Sequence, residues 1–173
     1  MLKTYRYRLK PTKSQVTILE RQLELCRFVY SDTLAYRKNA WELEQREVKR
    51  FETQDRLPQL KLEVPELKEV YSQVLQNVAL RVELAFKAFF RRAKAGEEPG
   101  YPRFKGKNRY DSITYSQSGF ELDSDVLHLS KIGDIKIKLH RPLEGCTGRS
   151  QVHVSDVFQV WPDSQKGSLS KSP

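Results

Sequence analysis

Residues 86–110 read FKAFFRRAKAGEEPGYPRFKGKNRY, with eight Lys or Arg and six aromatic residues against two acids, Glu97 and Glu98. Interleaving of this kind suits nucleic acid. Cations meet phosphates and release condensed counterions, while unstacked bases are met by flat faces such as Phe, Tyr or a guanidinium plane. Arg91, Arg92, Lys94, Arg103, Lys105, Lys107 and Arg109 are therefore the candidate phosphate contacts. Tyr101, Phe104 and Tyr110, placed in a loop, are candidates for stacking on a base or ribose. The bland alternative for the cations is a solvated charge run. Helical spacing turns Phe86, Phe89 and Phe90 mostly toward a helix bundle, so most of that trio is expected in the core.

Charge is concentrated rather than spread. Residues 1–13 hold five cations and no acid, and residues 87–110 hold eight cations and two acids. Residues 14–86 carry eleven cations and twelve acids, and residues 111–173 seven and eight, so two short segments account for the whole net charge of +9. Concentrated positive charge implies a polyanionic partner, and Arg6, Arg8 and Lys10 form a weaker version of the same phosphate-binding pattern.

Other chemistry is sparse. Cys26 and Cys146 lie 120 positions apart without a CxxC pair, which excludes a disulfide framework and a four-ligand zinc site, and Cys26 reads as a small core residue. His128, His140 and His153 have neither metal-ligand spacing nor a partnered nucleophile. No catalytic residue, metal ligand or cofactor site is expected. No apolar run approaches the roughly 20 residues of a membrane span, so no membrane partner is expected and a cytoplasmic location is the default.

The elements that must position these residues are legible from periodicity. Tyr5, Tyr7 and Leu9 alternate with Thr4, Arg6 and Arg8, which predicts a half-buried strand with a cationic outer face. Thr12 and Gln15 make a capping box for a helix running to about residue 50, with Val16, Leu19, Leu23, Cys26, Tyr30, Leu34 and Trp41 on its apolar stripe. Residues 57–62 predict a short turn or helix. Val64-Pro65 opens a second long helix through Val74, Val78, Val82 and Phe86, ended by Gly96. Together they read as an antiparallel hairpin. From residue 111, alternating segments at 112–116, 120–122, 126–129 and 135–139, separated by Asp123-Ser124-Asp125 and Gly133-Asp134, predict an antiparallel sheet. Residues 151–161 suit a further strand, and residues 163–173 are polar without an apolar anchor, as in a disordered tail.

The segments TYRYRLKPTKSQ, VLQNVALRVELAFKAFFRRAKAG, GYPRFKGKNRYDSITYSQSGF and IKIKLHRPLEG, in this order, resemble the amino-terminal half of the TnpB (OrfB) family of transposon-encoded RNA-guided DNA endonucleases. The resemblance covers about residues 3–145. It implies a wedge domain of barrel type interrupted by a helical recognition lobe, with guide RNA and target DNA as partners; the protein reads shape and a short motif while base pairing reads the rest. The expected fold is α+β: a small antiparallel sheet or partial β-barrel with an inserted helical hairpin. Residues 1–11 and 111–145 would form the wedge-like part, 12–96 the helical insertion, 97–110 a basic linker loop and 146–173 a divergent, disordered tail.

Ser72, Gln73, Gln76 and Asn77 are polar helix positions able to reach base edges, Gln and Asn pairing bidentately with adenine; alternatively they form a solvated face. The resemblance implies that this helix helps read the target-adjacent motif, and that Thr114, Tyr115, Ser116 and Gln117 touch the same duplex. It also implies a nuclease half with three metal-binding carboxylates and a CxxC…CxxC zinc element, neither of which is expected here. Only Glu144, Asp156 and Asp163 follow the predicted sheet. The expectation is a truncated or frameshifted copy that binds nucleic acid without cutting it. A stand-alone DNA-binding regulator and a helical protein-interaction module are the alternatives.

Overall fold

A computed structural model of the protein describes residues 6–107, 109–140, 150–155 and 159–164. Strand β1 (Tyr7–Lys10) leads into helix α1 (Lys13–Glu44), whose start is fixed by the predicted capping box: the Thr12 side chain accepts from the Gln15 amide, and the Gln15 side chain accepts from the Thr12 amide. At about 1.5 Å per residue, its 32 residues span roughly 48 Å. It stops at Gln45, which adopts the left-handed conformation (φ 52°). Two short helices, α2 (Arg50–Asp55) and α3 (Leu57–Glu63), and a 3-10 turn (Pro65–Glu69) then lead to α4 (Ser72–Lys94).

The second long helix thus begins later than Pro65. That proline opens only the 3-10 turn, because Val70 is extended (φ −94°, ψ 138°) and breaks the path before Ser72. The predicted antiparallel hairpin is also not what forms. Gln22 of α1 donates to the carbonyl of Glu69, just before α4, whereas Arg37, four turns later, pairs with Glu83 at 2.5 Å and covers the ring of Phe86. Contacts advance together along both helices, so α1 and α4 run parallel. Residues 50–69 provide the return path that a hairpin would lack.

The remaining strands are β2 (Ser112–Tyr115), β3 (Phe120–Asp123), β4 (Val126–Leu129), β5 (Gly133–Lys138), β6 (Ser150–Ser155) and β7 (Gln159–Ser164). All pairings are antiparallel, in the order β2-β6-β7-β1-β5-β4-β3. The fold is α+β. The stretch from 146 expected as a disordered tail differs where it is described: β6 and β7 lie inside the sheet, joining β2 to β1, and Val152 and Val154 are buried. Two short apolar positions with strong partners on both sides suffice for a strand whose sequence alone carries a weak signal.

One core joins sheet and helices. Tyr7 and Leu9 of β1, Ile113 and Tyr115 of β2 and Ile135 and Ile137 of β5 share it with Leu19, Cys26, Val29 and Leu34 of α1 and Val74, Leu75, Val78 and Val82 of α4. Cys26 is fully buried, and desolvation pushes its thiol up to about 12. Gln22 ties the layers: its Nε2 donates to the carbonyls of Glu69 and Lys131, both at 3.2 Å. Trp41, expected on the apolar stripe, is instead more than half exposed near the end of α1.

The turn connecting β2 to β3 docks on the start of α4. Gly119 (φ 85°) lies so close to Tyr71 that a Cβ there would sit 2.4–2.8 Å from three ring atoms, and Tyr71 is itself held by stacking on Tyr115 and by a 2.9 Å hydrogen bond with the Ser118 hydroxyl. Gly119→Ala combines a left-handed backbone with overpacking and is expected to destabilise by about 2 kcal/mol, measured by urea unfolding. An unchanged midpoint would show that the tip is not docked.

Candidate nucleic-acid interface

The basic loop begins where α4 ends. Arg91 and Lys94 on the last turns of α4 are exposed and Arg92 is half-buried, its Nε bonded to the carbonyl of Ala88. Gly96 takes φ 73° and turns the chain out of the helix. Beyond it Arg103, Phe104, Lys105, Lys107 and Arg109 are all exposed. Among the described residues none of these cations forms an ion pair, although the Lys105 ammonium lies 6.0 Å from the centre of the Tyr30 ring and, after the Arg27 hydrogen bond, the charge of Lys107 helps hold the Glu24 carboxyl below its usual range.

The loop is nonetheless anchored. Arg27 of α1 donates to the carbonyl of Lys105 at 3.2 Å, and the Arg109 amide donates to the carbonyl of Gly106. Tyr110, a sequence candidate for stacking, is buried against Tyr30 (centroids 5.9 Å), with the guanidinium of Arg81 5.2 Å from its ring; burial drives its phenol pKa well upward. Tyr110 is a hinge pin, not a ligand surface. Tyr101 keeps 44% and Phe104 53% of its surface exposed.

The polar face of α4 and strand β2 come together as the spacing required, but much of their hydrogen-bonding capacity is used internally. Arg81 donates to the Asn77 side-chain oxygen at 3.2 Å, to the carbonyl of Ser112 at 2.9 Å, to its hydroxyl at 3.2 Å and to the Thr114 hydroxyl at 2.8 Å. Gln73 accepts from the Ser118 amide at 3.1 Å, and Ser72 accepts from Lys61 at 2.8 Å. Gln76 and Gln117 are exposed, and Gln76 engages only through its carbonyl, which accepts from Gln54 at 3.4 Å. Tyr115 and Thr114 are corrections to the sequence candidates. Tyr115 is fully buried with its hydroxyl given to the carbonyl of Ser130, and Thr114 is buried beneath Arg81, because both faces of β2 are covered by helix or neighbouring strand.

The amino-terminal cations lie elsewhere. Because Tyr7 and Leu9 enter the core, Arg8 and Lys10 project from the other face of β1, and Arg6 is exposed just before the strand. Their cross-strand partners are Lys138 and Lys136. Like charges directly opposite one another weaken a sheet unless an anion covers them. The sequence pattern alone does not place Lys136 and Lys138 beside Arg8 and Lys10, since only the β1–β5 register shows it. The two basic groups sit on different elements: Arg8 and Lys10 face outward from β1, whereas the loop holding Lys105 is fixed to α1 through Arg27.

No cluster of three or more His, Cys, Asp or Glu suited to a metal occurs among the described residues, and none of their helices is long and apolar enough to cross a membrane.

Comparison with known proteins shows what this strand-led helical region and its basic, partly aromatic loop are similar to. A family model described as a helix-turn-helix domain, of the OrfB/IS605 kind, matches residues 1–46. The described part of that segment, residues 6–46, holds β1 and one uninterrupted helix and no turn between two helices. A Streptomyces pristinaespiralis protein named "Putative RNA-guided DNA endonuclease" is 33% identical over 82% of this chain, and an Escherichia coli K12 protein of the same description, InsQ, is 29% identical over 92%. The resemblance to the TnpB (OrfB) family thus extends over most of the chain. The chain spans 35% and 39% of the length of these relatives.

Proposed function

We propose that this chain binds nucleic acid as the amino-terminal part of a TnpB-like protein, with guide RNA and target DNA as its strands, and that it does not itself cleave phosphodiesters. The observation that carries this reading is the row of exposed cations with no ion pair among the described residues, Arg91 and Lys94 at the end of α4 and Arg103, Lys105, Lys107 and Arg109 on the following loop, whose backbone is fixed to α1. Polyanion binding at such a row is driven by counterion release and falls steeply with salt. Relatives named as RNA-guided endonucleases favour a paired RNA and DNA ligand over duplex DNA alone.

On α4, Gln76 is the base-reading residue, because its side chain is exposed and has no hydrogen bond among the described residues, whereas Gln73 and Asn77 are already engaged. The outer quartet Arg8, Lys10, Lys136 and Lys138 holds backbone phosphates on the other side of the sheet.

The test is binding of purified protein to duplex DNA with and without a transposon-end RNA, over a salt series. RNA-dependent, salt-sensitive binding without any cleaved product in Mg²⁺ is the expected result. Equal duplex binding without RNA would transfer the function to a DNA-binding regulator, salt-insensitive or absent binding would remove the nucleic-acid role, and cleavage would overturn the non-catalytic assignment.

A further inference from the structure

We infer that Phe90 and Tyr101 form a fixed stacking platform that selects unpaired nucleotides, an inference that rests on the nucleic-acid reading above. Phe86, Phe89 and Phe90 fall on adjoining positions of the last turns of α4, and they meet different fates. Phe86 is buried, with the Arg37 guanidinium 4.4 Å from its centroid. Tyr101 comes back from the loop and sets its ring nearly perpendicular to Phe86 (5.7 Å, 87°) and to Phe89 (5.4 Å, 74°). Phe90 packs edge-on to Phe89 at 5.2 Å. Phe90 also turns one face toward Phe86 (6.4 Å, 27°), so the cluster fixes its ring from one side and from its edge while about half of its surface stays exposed.

Two large aromatic side chains therefore remain at the surface, Phe90 at 51% and Tyr101 at 44% exposure. Exposing them has a solvation cost of roughly 25 cal/mol per Å² that a ligand recovers. Their surroundings identify the ligand class. Arg91 and Lys94 follow Phe90 on the helix and Arg103 follows Tyr101 on the loop, all exposed and without ion pairs among the described residues. An apolar peptide has no use for those charges, whereas a single strand offers bases for the rings and phosphates for the cations. A duplex keeps its bases stacked inside and presents a π face only at its ends. Paired strands thus gain the cations but not the platform.

The experiment compares a labelled 20-nucleotide oligo(dT) and oligo(U) with a 20-base-pair blunt duplex, by fluorescence anisotropy at fixed low salt. Phe90→Ala and Tyr101→Ala are each expected to weaken single-strand binding roughly five- to a hundredfold, the range seen for loss of one base–aromatic stack. Duplex affinity should change less than twofold, the salt slope should stay the same, and Phe90→Trp should retain single-strand affinity. Equal losses on single strand and duplex, or no loss on the single strand, would overturn the platform while leaving the cationic contacts standing. Failure of the unsubstituted protein to bind any of the three ligands would overturn the nucleic-acid reading, and the platform with it. Both exposed side chains can be removed without opening the core, and a thermal melt of each variant verifies this.

Discussion

Arg81→Met is expected to lower the stability of the protein by about 3 to 4 kcal/mol, more than any substitution in the basic loop. The half-buried guanidinium ties α4 to β2 by hydrogen bonds beside their apolar packing: it spans Asn77 on its own helix and both Ser112 and Thr114 on the strand, and it lies over Tyr110. Methionine fills similar space but donates nothing. It would leave the Thr114 hydroxyl without the donor now held at 2.8 Å, and would release the carbonyl of Ser112 at the point where the loop enters the sheet. Arg81→Lys keeps the charge, yet a single ammonium cannot reproduce a fork that reaches two residues of one strand and one of a helix, so most of the loss should persist. Urea unfolding followed by far-ultraviolet circular dichroism reads the effect. A change below about 0.5 kcal/mol for Arg81→Met would show that the helical region and the sheet are held by apolar packing alone.

Arg81 also shows where sequence reading reaches its limit. A lone Arg between Leu80 and Val82 carries no periodic signal of its own, and its role exists only because β2 returns to that turn of α4. Features set by short-range chemistry were legible: the Thr12–Gln15 capping box, the period-2 strand at 126–129, the turn at Ser124, which takes φ 51°, and the strand read at 135–139, which forms at Gly133–Lys138 and takes in the Gly133-Asp134 pair expected as a turn. Features set by long-range geometry were not. The parallel course of α1 and α4 depends on how residues 50–69 fold back, and two amphipathic stripes look the same whichever way the helices run. The same limit governed the interface. The helix pattern put Gln73, Gln76 and Asn77 on a polar face and the resemblance implied that Thr114 meets the same duplex, but which of them has bonding capacity left for a ligand is decided by Arg81 and by the docked Ser118 turn. Phe90 was read as one of a mostly buried trio, because helical spacing assigns a face and does not say whether the loop will cover it.

Replacing Arg103, Lys105, Lys107 and Arg109 together by Gln is expected to weaken nucleic-acid binding by roughly two orders of magnitude at moderate salt. The slope of log affinity against log salt should flatten by about 3, since each lost phosphate contact removes about 0.7 to 0.9. The four side chains are exposed and make no ion pairs among the described residues, and the contact that fixes the loop uses the carbonyl of Lys105, so stability should hardly move. A parallel variant with Gln at Arg8, Lys10, Lys136 and Lys138 separates the two basic surfaces, because these residues face outward from the sheet and the loop lies along α1. Relieving the opposed pairs Arg8–Lys138 and Lys10–Lys136 should stabilise the sheet slightly even as it removes phosphate contacts. On an oligonucleotide of about five nucleotides, which presents too few phosphates to engage both surfaces at once, the loop variant should lose the share of the slope owed to its four cations while Arg91 and Lys94 keep the remainder, and the strand variant should change less. On a longer guide-sized RNA both should flatten the slope, each by its own share. An unchanged slope for the loop variant on both ligands would mean that its cations contact no phosphate, and the interface would then have to be sought on the outer face of β1 and β5.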